Sequence, residues 1–154
     1  MPLTCVDPGI FVDASTSWGI GLLADSHWAA WCLLPNWATC GRDIGWAEGV
    51  ALELAVYWLV AAGFHDADVT IRSDNSGVVG AFWKGRLRNL ERNESIGCIT
   101  VALSCANLSL SPIFVLSIEN LADPLSHGCL RPNSSHIPQV IHIPPCLDGF
   151  LLLS

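Results

Sequence analysis

The chain has 154 residues, 51% of them hydrophobic and 14% charged, with a formal net charge of −7. That length holds one domain with a proper core rather than two, and the apolar content excludes disorder for the body of the chain. No uninterrupted apolar run reaches the ~18 residues that span a bilayer, and the start, Met1-Pro2-Leu3-Thr4, lacks the basic and apolar regions of a secretion signal.

Residues 9–15, Gly-Ile-Phe-Val-Asp-Ala-Ser, read as a short strand entering a polar turn. Strands are predicted near 18–24 and 27–34, parted by the turn-like Ala24-Asp25-Ser26, in a hairpin arrangement. Pro35-Asn36 and Gly41-Arg42-Asp43 mark a loop. From Ile44 to Ala62 the pattern is helical, with Leu52, Ala55, Leu59 and Ala62 at spacings of three and four, and Gly63 placed to end it. Glu48 and Glu53 interrupt this apolar stretch, which reads as a buried helix. Val69–Ser73 is a β-branched strand, 75–83 and 93–106 are helices, and 108–117 is a final strand that Pro112 places toward an edge. A short helix near Pro124–His127 ends at Gly128. Beyond it the prolines and polar residues of 129–154 indicate a poorly ordered tail, of which Phe150–Leu153 can dock as an apolar plug. The element order favours an α/β layered domain with a mixed sheet.

Seven cysteines (5, 32, 40, 98, 105, 129 and 146) form no CxxC pair. Their odd number without a secretion signal argues for reduced thiols and an intracellular protein, cytoplasmic or nuclear, and the spacing argues against zinc. The negative charge speaks against a nucleic-acid partner, but Lys84, Arg86, Arg88 and Arg92, four of the seven basic residues, fall within nine positions.

Asp13 and Asp74 each end a predicted strand, Glu48 sits early in a helix and Asp123 opens a late one. Carboxylates at the ends of buried strands are costly unless something offsets their charge, and a divalent cation does so. Hard oxygen ligands suit Mg²⁺ or Mn²⁺, and two such ions together can activate water and stabilise a leaving oxygen. Singly, each residue also has a plain structural reading. Asp74 or Asn75 can cap the following helix, Asp123 before Pro124 fits an N-cap, Asp13 a turn and Glu48 a solvated face.

Taken in order, Phe11-Val12-Asp13-Ala14-Ser15, Trp18-Gly19-Ile20-Gly21, Asp43–Glu48, Ser73-Asp74-Asn75 and Glu119–Ser126 resemble the ribonuclease H region of retrotransposon polyproteins, DIRS-like or related fungal elements in particular. The resemblance covers residues 9–128. It implies a five-stranded mixed sheet flanked by helices, and hydrolysis of the RNA strand of RNA–DNA hybrids with two Mg²⁺ or Mn²⁺ ions. It also implies an origin beside a reverse transcriptase in a parent polyprotein, with no membrane partner. The family's four carboxylates fall on Asp13, Glu48, Asp74 and Asp123. Ser15, Asn75, Lys84, Arg86 and Arg88 become candidate substrate contacts. A nuclease of this kind can be acidic overall because its metals supply positive charge locally.

Glu53 is the rival for the helix position. Five residues turn a helix by about 500°, so Glu48 and Glu53 cannot both face one site; Glu48 shares its face with Leu52, Ala55 and Leu59 and is preferred. The seven tryptophans suit core and loop packing better than base stacking, and His127 reads as a surface residue near Asp123. A family histidine that assists product release has no counterpart between Asp74 and Asp123. The alternatives are a catalytically inactive remnant of the same fold, structural or nucleic-acid-binding, and an integrase- or resolvase-type nuclease acting on DNA.

Overall fold

Ile10, Val12 and Ala14 alternate with Phe11 and Asp13, and this period of two gives β1 (Thr4–Ala14) two different faces. The computed structural model describes residues 3–83 and 94–154; Lys84, Arg86, Arg88 and Arg92 lie outside the described residues. β2 (Gly19–Ala24) pairs antiparallel with one edge of β1, and β3 (His27–Leu33) pairs antiparallel with β2. On the other edge β4 (Ala67–Ser73) runs parallel to β1, and β5 (Leu108–Phe114) parallel to β4. Pro112 therefore sits in an outermost strand, where its missing N–H breaks no ladder.

The sheet has six strands, in the order β5-β4-β1-β2-β3-β6, rather than the five expected. The sixth, β6 (Leu151–Leu153), comes from the segment expected to be poorly ordered and pairs antiparallel with β3. Two forces order this segment. The backbone groups of β3 would otherwise form an open edge, and Ile137, Leu147 and Leu151 find buried places in the core. The crossing is pinned by Trp28 Nε1 donating to Pro132 O at 2.9 Å, Ile137 N to Trp28 O at 2.9 Å, and Trp58 Nε1 to Gln139 Oε1 at 3.1 Å. Phe150 does dock, edge-on against Trp46 and beneath the Arg42 guanidinium.

α1 (Ile44–Ala61) connects β3 to β4. Asp43 caps its start, the Oδ1 accepting from Trp46 N at 3.1 Å. At the other end Gly63 takes φ +87°, Phe64 N bonds Leu59 O and Gly63 N bonds Val60 O, the paired bonds of a Schellman stop. Every residue from Ala47 to Leu59 except Tyr57 is buried. By length and composition alone α1 could cross a membrane, yet 67% of it is buried inside this fold. Such a helix is apolar nearly all round because the sheet, the other helices and the C-terminal segment enclose it.

α2 (Ser76–Trp83) and α3 (Glu94–Ala106) contribute Val78, Phe82 and Ile99 to the same core. The opposite face carries a smaller cluster in which Leu125 of α4 (Asp123–Ser126) meets Leu23, Trp28 and Ala30, with Phe11 and Trp18 packed against it. A last helical turn, α5 (Pro145–Asp148), leads into β6. The architecture is α/β, a mixed six-stranded sheet flanked by helices.

Candidate metal centre

The parallel pairing of β1 with β4 places Val12 beside Ser73, so Asp13, near the end of β1, and Asp74, just past the end of β4, lie at the same end of the sheet. There β1 has a parallel neighbour, β4, on one side and an antiparallel one, β2, on the other. Glu48, in the second turn of α1, reaches the same place. Asp13, Glu48 and Asp74 each offer an oxygen within 4.8 Å of the other two. The cap of α2 is Asn75, whose Oδ1 accepts from Val78 N at 2.9 Å, and this leaves the Asp74 carboxylate to face the other two.

Asp13 and Glu48 are each only 4% exposed. Burial pushes the Asp13 carboxyl up to about 7, the Ser126 hydroxyl opposing it and the nearby Asp74 and Asp123 charges adding to it. Burial likewise pushes Glu48 up to about 8, with Asp13 and Asp74 reinforcing it and the Ala14 backbone N–H partly offsetting it. Glu48 Oε2 is fully buried with no hydrogen-bond partner among the described residues. A buried carboxylate oxygen without a donor is costly, and here it belongs to a cluster of hard oxygen ligands. That donor set fits Mg²⁺ or Mn²⁺ and offers no thiolate or imidazole to a softer ion.

Asp123 stands apart from this trio. Its carboxylate is half-exposed and lies 3.4 Å from His127 Nε2, although its charge still reaches Asp13. The N-cap reading of Asp123 does not hold: Ala122 occupies the cap position, and no side chain caps α4. What holds α4 against β1 is a set of buried bonds. Asn120 Nδ2 donates to Val12 O at 3.0 Å, Ser15 Oγ to Ser126 O at 2.6 Å, and Ser126 Oγ to Asp13 Oδ2 at 2.7 Å.

Glu53 is also buried, but its Oε2 accepts from the Tyr57 hydroxyl, and Cys98 of α3 borders the same phenol. It therefore faces α3 while Glu48 faces the strand ends. Of the expected substrate contacts, Ser15 is a buried tie between β1 and α4, Asn75 is a helix cap, and Lys84, Arg86 and Arg88 fall outside the described residues. Two residues with a part in the centre were missed, Ser126 and Asn120. Their signal was available: both are polar and lie in the quoted segment Glu119–Ser126, where the surrounding Leu and Ala mark a packed turn.

No protein-family model, curated protein or solved structure matches this chain.

Proposed function

We propose that this chain is a divalent-metal-dependent endonuclease that hydrolyses the RNA strand of RNA–DNA hybrids, a ribonuclease H-like domain of retroelement origin. The observation that carries the reading is the convergence of Asp13, Glu48 and Asp74, from two strand ends and a helix, on one buried spot where a Glu48 oxygen has no donor. The ordered motifs Phe11–Ser15, Asp43–Glu48, Ser73–Asn75 and Glu119–Ser126 supply the family resemblance, and three of the four carboxylates expected from it, Asp13, Glu48 and Asp74, are the trio that could hold a metal ion.

Asp13, Glu48 and Asp74 would hold Mg²⁺ or Mn²⁺, with Asp123 adding charge at the outer side. The bound ions supply the polarisation of the scissile phosphate and a water acidified enough to attack it. The chain's own part is to keep the carboxylates together. The strand pairing fixes Asp13 and Asp74, the capped start of α1 fixes Glu48, and the apolar packing of Leu125 shields one flank. An acidic surface repels phosphates, so nucleic-acid affinity in this protein of charge −7 depends on the cation and on the basic run Lys84–Arg92.

The test compares cleavage of an RNA–DNA hybrid, duplex DNA and single-stranded RNA in Mg²⁺ and in chelator, by the wild-type and Asp13→Asn proteins. Mg²⁺-dependent hybrid cleavage lost in Asp13→Asn supports the proposal. Preference for duplex DNA points to the integrase- or resolvase-type reading. Absence of cleavage from a folded wild-type protein leaves a non-catalytic domain, the reading that the net charge of −7 favours.

A further inference from the structure

We propose that Ser126 is a positioning residue for the cation site, its buried hydroxyl donating to Asp13 Oδ2 and so fixing that carboxylate. This inference rests on the reading of Asp13, Glu48 and Asp74 as cation ligands. Ser126 is 0% exposed. Its Oγ lies 2.7 Å from Asp13 Oδ2 and 2.8 Å from Asp123 O, so one hydroxyl hydrogen has two acceptors. An ionised carboxylate is the stronger acceptor and forms the shorter, charge-assisted bond. With Oδ2 engaged, Oδ1 is the Asp13 oxygen that Ser126 does not hold.

The serine is itself fixed from both sides. Ser126 N bonds Ala122 O at 3.1 Å, and Ser126 O accepts from Ser15 Oγ at 2.6 Å. Ser15 directly follows the last residue of β1, so the strand end and α4 grip each other reciprocally: the Ser15 hydroxyl donates to the α4 backbone, and an α4 hydroxyl donates to the Asp13 carboxylate. Hydrogen-bond donors behind a metal ligand orient it and tune its affinity, and their removal costs about 10- to 100-fold in metal binding. Because Ser126 is wholly buried, it cannot touch a nucleic acid. Its loss should weaken cation binding and lower kcat while leaving the KM for hybrid near its wild-type value.

The experiment is Mn²⁺ binding followed by electron paramagnetic resonance on the full chain, in the wild type, Ser126→Ala, Ser126→Cys and Asp13→Asn. Thermal melts establish that each variant is folded, and steady-state cleavage supplies the kcat and KM split. The expected result is Mn²⁺ affinity reduced about 10- to 100-fold in Ser126→Ala, an intermediate loss in Ser126→Cys, whose thiol is close in size but a weaker donor, and abolition in Asp13→Asn. If Ser126→Ala does not fold, Ser126→Cys carries the test. Wild-type affinity in the folded serine variants, with binding still lost in Asp13→Asn, overturns the role of Ser126 and leaves the cation site standing. A wild type and an Asp13→Asn protein that behave alike overturn the cation site itself.

Discussion

Gly21 of β2 lies directly across the antiparallel ladder from Asp13, and a methyl group in its place would sit 2.7 Å from Leu125 Cβ and 2.8 Å from Ala122 O. The absence of a side chain is what lets α4 lie flat on the sheet beside the carboxylates. Gly21→Ala should therefore push α4 outward and cost about 1–3 kcal/mol of stability, the usual penalty of overpacking a filled site. Urea unfolding measures it. A variant as stable as the wild type would mean that α4 is not seated as described.

Glu48 and Glu53 offer a paired comparison on one helix. In metal-free buffer near neutral pH, Glu48 must take up a proton to enter the fold, since burial raises it to about 8, and Glu48→Gln removes that cost; stability should stay unchanged or rise, while the metal-dependent cleavage proposed above is lost. Glu53→Gln keeps an oxygen for the Tyr57 hydroxyl and should retain cleavage, with about 1 kcal/mol lost from the weaker bond. Melting temperature and cleavage measured together on both variants decide the assignment, and a Glu53→Gln protein that folds but cannot cleave would reverse it.

The stability of the metal-free protein should depend on pH through the same carboxylates. Asp13 is raised to about 7 and Glu48 to about 8, so between the unfolded values near 4 and those figures the folded state holds more protons than the unfolded chain. Their contribution is complete below about pH 4 and is lost as pH rises through about 7 to 8. Across that window the metal-free melting temperature should carry a downward contribution that Asp13→Asn and Glu48→Gln both reduce. Added Mg²⁺ should restore stability at the alkaline end, where the ligands are ionised, and do little at the acid end. Melts with and without Mg²⁺ across this range, in the three proteins, test the linkage; identical pH profiles would contradict it.

Removal of residues 150–154 should be costly for a segment so short. It deletes β6, opens the edge of β3 and takes Phe150 from between Trp46 and Arg42. Loss of the buried Leu151 and the Phe150 contacts should cost about 3–5 kcal/mol, and the open edge should promote association at high concentration. Chemical unfolding and light scattering read these two effects, and a truncated chain that matches the full one in both would show that β6 is dispensable.

Much of the α/β layout was legible because local signals agreed with tertiary ones. Alternation in Ile10–Ala14, the β-branched run Val69–Ser73, and Gly63 after a helical stretch each reflect one physical cause, a face buried or a left-handed stop. The carboxylates were legible as charges placed where burial should forbid them. The C-terminal strand was not, because Leu151–Leu153 is short and its partner β3 is far away in the sequence, so no local period announces it. Ser126 was missed because a buried serine looks like a surface one until the strand packed against it is known. Asp123 misled in another way. The Asp-Pro pair is a common helix start, yet Ala122 takes the cap and the aspartate turns toward His127.

If Asp13, Glu48 and Asp74 together bind one cation, calorimetric titration of Mn²⁺ into the wild-type and Asp74→Asn proteins reveals it. The wild type should bind saturably, and a folded Asp74→Asn protein with an unchanged circular dichroism spectrum should not. Binding that survives in Asp74→Asn, or that is missing from the folded wild type, would contradict a site shared by the three carboxylates.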